Sequence, residues 1–250
     1  MKASNKRFWD IKAAATPATG EIYIYGNITR YKWEDEDVTA LSFKKDLETL
    51  GDIQKLNLYV NSPGGSAFQA QAIFSILARH TAFKTAYIDA IAASAASFLI
   101  MACDHIVMPK NTMMMIHNPM TYGFGNATAF RKLADMLDKA AVGMIEAYMT
   151  KIGDKTTEDK LKELLEAESF LTAQECFDHG FCDELIEAKA DIAANIDIDF
   201  IVANYQNVPE FLKSMCKGGD DEEAEMELRA QIAADAKLTL ERVVQSKNYF

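Results

Sequence analysis

Two side chains in this sequence are equipped for covalent chemistry, the hydroxyl of Ser94 and the imidazole of His117. A serine is a poor nucleophile until a base removes its proton, and histidine is the usual base near neutral pH. Ser94 lies in residues 89–97, Asp-Ala-Ile-Ala-Ala-Ser-Ala-Ala-Ser, between an apolar stretch at 84–88 and another at 98–102. Small residues suit a sharp strand-to-helix turn, which would present the hydroxyl at a helix N-terminus. Ser97, one turn later, is the rival and would fall inside the helix. His117 follows the apolar run 113–116 and precedes Asn118-Pro119, which puts it at the mouth of a buried strand. The other histidines read as structural: His80 ends a helix, His105 opens a strand, and His179 precedes Gly180. Gly64-Gly65 after Pro63 is ordinary turn chemistry by itself. Beside a nucleophile, two glycines would also let a backbone N–H approach a developing oxyanion.

These residues need a frame to bring them together, and the hydropathy pattern supplies one. Alternating or apolar runs predict strands at 21–26, 56–61, 85–88 and 105–108. Helical spacing predicts helices at 38–50, Ala67–Ala78 and 94–102. Strands alternating with helices imply βαβ units and a largely parallel sheet. Ala127–Ile152 is the longest predicted helix, with Phe130, Leu133, Met136, Leu137, Ala140, Met144, Ile145 and Tyr148 at helical spacings. That length exceeds what a compact domain can cover, so it is expected to project and make partner contacts. Thr156-Thr157-Glu158-Asp159 opens another helix with a threonine cap, and residues 172–179 form a short one stopped by Gly180. Beyond Glu187 the pattern loosens. Residues 217–223 read as a solvated linker and 225–244 as a weakly amphipathic helix. The expected organisation is an N-terminal segment 1–20, a main domain 21–187 and a C-terminal extension 188–250.

Composition narrows the function classes. The chain has 250 residues, 49% hydrophobic and 25% charged, enough for one α/β domain with an appendage. A net charge of −11 disfavours nonspecific binding to nucleic acid or to an anionic membrane. The four cysteines (Cys103, Cys176, Cys182, Cys216) lack C-x-x-C spacing and read as free thiols of a reducing compartment. The N-terminus has no apolar signal core and no run is long enough to span a bilayer, so a cytoplasmic location is expected. No phosphate-binding Gly-x-x-x-x-Gly-Lys-Ser/Thr segment is present in the sequence, so no ATPase is built in.

Taken together, the motifs resemble those of the ClpP peptidase family, serine peptidases of crotonase-like fold. Asn61-Ser62-Pro63-Gly64-Gly65 resembles its Asn-Ser-Pro-Gly-Gly segment, and Ala92-Ala93-Ser94 its nucleophile segment. Met115-Ile116-His117-Asn118-Pro119 is similar to its Met-Ile-His-x-Pro. Phe170-Leu171-Thr172-Ala173 and the 179–183 segment resemble two further family segments, and coverage runs from about Glu21 to Ile186. Within the family, the start of the long helix at Gly125-Asn126-Ala127, residues 168–172 and the C-terminal extension are most similar to the ClpP-like head maturation (prohead) proteases of tailed phages and prophages.

The resemblance implies an α/β, crotonase-like (ClpP) fold of repeated ββα units. It implies Ser94 as nucleophile, His117 as general base, and an oxyanion hole from the N–H groups of Gly65 and Ala95. Substrate would pair with strands near Ser66-Ala67 and Pro119-Met120. The family's triad aspartate position holds Glu168 here, with Glu166 and Asp183 as alternatives. Ala90 replaces a family glycine and Ala95 a family methionine. No metal or organic cofactor is implied. Partners would be a polypeptide substrate, copies of the chain in a ring and, for the phage branch, capsid and scaffold precursors. Two rival readings are a catalytically inactive structural oligomer and an acyl-CoA enzyme of the wider crotonase superfamily.

Overall fold

The computed structural model describes residues 7–29, 39–188 and 198–214. One compact unit runs to Lys213; of the second, 214–250, only Ser214 is among the described residues. The expected linker at 217–223, the helix at 225–244 and Cys216 lie outside them.

Strands β1 (Trp9–Ala13), β2 (Thr19–Tyr25), β3 (Lys55–Ser62), β4 (Phe83–Ala93), β5 (His105–Pro109) and β8 (Glu184–Ile186) form the main path of an eight-stranded sheet, in the order β1-β2-β3-β4-β5-β8. The remaining two, β6 (Met113–Ile116) and β7 (Ser169–Thr172), branch from β4, β6 pairing with both β4 and β7. The β2-β3-β4-β5 ladders are parallel, as βαβ patterning predicts, while β1 pairs antiparallel with β2. Three strands were not legible in the pattern: β1 lies in the expected N-terminal segment, and β7 and β8 are only 4 and 3 residues long.

Alternation sets the faces. Leu56, Leu58 and Val60 of β3, like Ile22 and Ile24 of β2, point into the main core, while the intervening Tyr23 and Tyr59 stack on the opposite face. The core is covered by α1 (Ala40–Glu48), α2 (Ala67–Ala78), α3 (Ala95–Leu99), α5 (Glu158–Glu166) and α6 (Ala173–His179), and by the last turns of α4 (Ala127–Ile152). In α4 only Tyr148 and Ile152 are fully buried. Cys103, Cys176 and Cys182 are buried free thiols whose pKa values burial raises, which keeps them protonated and inert.

Strand β4 runs on to Ala93, well past the expected end at Ile88, and this positions the site. Its first half pairs with β5 (Tyr87 opposite Val107) and its last residues with β6 (Ala93 opposite Met115). An alanine-rich run has little strand propensity, but pairing with β3 on one side and β6 on the other overrides it. Because β6 is apolar at every position, both of its faces need cover. Met114 and Ile116 enter the main core; Met115, with Ile91 and Ala93, faces Ile201, Tyr205, Val208 and Leu212 on the other side. Those residues belong to α7 (Ile198–Asn204), α8 (Glu210–Lys213) and the turn between them. The sequence reading starts the extension at Ala188, yet this part of it is packed into the compact unit.

Candidate active site

Strand ends and registers assemble the site. β4 ends at Ala93 and its parallel neighbour β6 at Ile116, so Ser94 and His117 emerge side by side. Ser94 Oγ lies 2.6 Å from His117 Nε2, and the Ser94 N–H donates to the Met115 carbonyl at 2.8 Å. Ser94 caps α3 with φ +52° and ψ −120°, a conformation costly for a residue with a Cβ and known from nucleophile turns. The strain sits on the serine itself; Ala90 is ordinary strand. Ser97 is buried and bonded to the Ser94 carbonyl and the Tyr148 hydroxyl, a structural role that removes it as a rival. His80, His105 and His179 are likewise engaged away from the site, with the Ala82 N–H, Glu184 and Thr156.

Beside Ser94 stands the glycine turn that follows β3. A Cβ on Gly64 (φ +99°) would lie 2.7 Å from both the Ala93 oxygen and the Ser94 Cβ, so only glycine fits. Gly65 (φ +135°) presses against Ile28, where a Cβ would meet the carbonyl oxygen at 2.3 Å. The carbonyl of Gly64 and the N–H of Ser66 bond to Ile28 at 2.7 Å each. Neither the Gly65 nor the Ala95 N–H donates to a backbone carbonyl among the described residues, and both residues line the cleft with Ser94. Two free N–H donors flanking a hydroxyl can receive negative charge on a substrate oxygen.

Of the three candidate acids, Glu168 is brought closest. β7 pairs antiparallel with β6, Ile116 opposite Ser169, which brings Glu168 to the His117 end of the ladder. Its charge reaches the imidazole, but no hydrogen bond or ion pair joins the two side chains among the described residues. Glu168 has φ +44°, and its Oε2 accepts the Gln206 N–H at 2.8 Å. Glu166 accepts from the Asn118 amide at 2.8 Å. Asp183 is remote, bonded to Lys151 and the Ile106 N–H near the start of β5, whereas Ser94 follows the end of β4. His117 is 6% exposed; burial lowers its pKa and the Glu168 charge partly offsets this.

The cleft, about 340 Å³, is largely apolar, with Phe98, Met120, Met136, Leu137, Met144 and Phe200 in its walls. Ser66, Ala67 and Pro119 lie along its edge. Sequence reasoning missed Tyr205, whose ring meets His117 edge to face at 5.3 Å between centroids and whose hydroxyl donates to the Pro63 carbonyl at 2.5 Å. One signal could have found it: Ile198, Ile201, Val202 and Tyr205 follow helical spacing inside the segment read as loose.

Residues 14–189 match the model of the Clp protease family, and the chain belongs to that family. Its members are peptidases that act on polypeptides and typically assemble as oligomeric rings. No helix among the described residues is long and apolar enough to cross a membrane.

Proposed function

We propose that this chain is a serine endopeptidase in which Ser94 is the nucleophile and His117 the general base. The observation that carries the reading is the 2.6 Å Ser94–His117 contact inside an open apolar cleft. His117 Nε2 takes the hydroxyl proton as Oγ attacks the scissile carbonyl, and the oxyanion is received by the N–H groups of Gly65 and Ala95. The imidazolium then protonates the leaving amine, and water releases the acyl group by the same steps in reverse order of proton transfer. Glu168 stabilises the imidazolium through its charge, consistent with its raising effect on the His117 pKa. An extended substrate would lie along Ser66-Ala67 and Pro119-Met120 by backbone pairing, with an apolar side chain before the cut filling the cleft. No metal or organic cofactor enters this chemistry. The crotonase-like assignment belongs to the same reading, supported by the glycine turn that meets the N-terminus of α3.

The finer reading is that of a phage-type head maturation protease acting on capsid and scaffold precursors in the host cytoplasm. It rests on the resemblance of residues 125–127 and 168–172 to that branch; Asn126 caps α4, accepting the Ala129 N–H at 3.1 Å. The test is intact-mass spectrometry after incubation with a fluorophosphonate. A single adduct is expected on wild type, absent in Ser94→Ala and formed at least about 10²-fold more slowly in His117→Ala. A folded wild type that takes no adduct would overturn the peptidase reading in favour of a structural oligomer.

A further inference from the structure

Beyond the family match, three consecutive residues each hold a different part of the site. The Tyr205 hydroxyl bonds the Pro63 carbonyl at the start of the glycine turn, and the Tyr205 ring meets the imidazole of His117 edge to face. The Gln206 N–H holds a carboxylate oxygen of Glu168 at 2.8 Å, and the Asn207 amide donates to the Ala167 carbonyl at 2.9 Å. Ile201, Val208 and Leu212, packed on Ile91, Ala93 and Met115, anchor the segment independently of these polar contacts. We propose that Tyr205, Gln206 and Asn207 form a positioning clamp that keeps the base, the acid and the oxyanion turn in mutual register. The proposal rests on the serine peptidase reading above.

Physical need for such a clamp follows from the residues. A glutamate has one more rotatable bond than an aspartate, so its carboxylate needs a fixed donor to stay oriented; the Gln206 N–H is that donor. The turn carrying Gly65 and the strand end carrying His117 come from separate branches of the sheet, and Tyr205 spans them. Its phenol is pushed up to about 12, chiefly by burial, so it remains a hydrogen-bond donor. The same ring screens the imidazole from water. The other groups facing His117 are Ser94 after β4 and Glu168 before β7; Glu166 shares its outer rim and Tyr122 the cleft side.

The experiment uses the full chain with Tyr205→Phe and Tyr205→Ala, read by fluorophosphonate labelling rate and by NMR titration of the His117 ring. In Tyr205→Ala, labelling should slow about tenfold or more and His117 should titrate at higher pH, because water reaches the ring. In Tyr205→Phe the ring remains, so the titration should hold while labelling slows about threefold from loss of a hydroxyl that anchors the Pro63 carbonyl and also interacts with Ser94. A Tyr205→Ala protein that melts earlier but labels and titrates like wild type would reduce the segment to packing and overturn the clamp. Faster labelling would also overturn it, making the segment a lid. If Tyr205→Ala does not fold, a wild-type labelling rate in Tyr205→Phe overturns the proposal. Where wild type itself takes no label, the peptidase reading fails, and the His117 titration alone decides the clamp.

Discussion

At the scale of the residue, His117 is governed by two opposed influences. Burial favours the neutral imidazole, and the negative charge of Glu168 favours the protonated one; burial is the larger. A general base must be neutral to act, so a lowered pKa keeps it competent further into the acid range. The acid limb of the labelling rate should therefore have its midpoint below the ordinary histidine value of 6.5. In Glu168→Gln the raising influence disappears, so the midpoint should move further down while the plateau rate drops about tenfold for want of imidazolium stabilisation. A pH series of labelling rates on both proteins checks this; a midpoint that rises in Glu168→Gln would refute the assigned role.

Among the elements, the two-sided pairing of β4 matters most. One strand serves β5 with its first half and β6 with its second, and that branch opens the space in which the glycine turn after β3 meets the start of α3. The fit is close at Gly64 and loose at Gly51, although both have positive φ. Gly64→Ala should destabilise the fold by about 1–3 kcal/mol and slow labelling by about 10²-fold, since the turn cannot yield without moving Ala93 or Ser94. Gly51→Ala, with open space around its Cβ, should cost about 1 kcal/mol in strain and leave labelling unchanged. Thermal melts beside labelling rates separate the two; equal effects would mean that the approach to Ser94 is not what constrains Gly64.

For the whole molecule, the long helix raises the question of assembly. α4 docks through Met144, Ile145, Tyr148, Met149 and Ile152, while Phe130 and Val142 stay 51% and 68% exposed. Tyr122 and Phe124, in the segment leading to it, are more exposed still. Rings are the usual assembly of this family, and these side chains are the apolar groups that α4 and the segment before it leave to a neighbouring copy. Val142→Glu and Phe130→Glu, neither of them in the cleft, should shift the native mass distribution from a multimer to smaller species. Native mass spectrometry or sedimentation velocity reads this directly. A wild type that sediments as a monomer would assign the α4 face some other partner.

Local chemistry made much of this protein legible. Ala67–Ala78 and Ala127–Ile152 have the bounds that periodicity predicts, closed at their starts by the side chains of Ser66 and Asn126. The turn glycines and the small residues around Ser94 announce a tight strand-to-helix corner because few other residue types could make one. Contacts between segments far apart in sequence were not legible. The length of β4, the strands β1, β7 and β8, and the placing of Glu168 near the His117 end of β6 depend on pairing partners that no local window contains. The apolar run of β6 did require cover on both faces, but which segment supplies it was decided only by tertiary packing. Residues 198–213 fill that place and carry Tyr205 onto His117. Spacing along a chain limits what its neighbours can form; register and burial between distant strands decide which side chains meet.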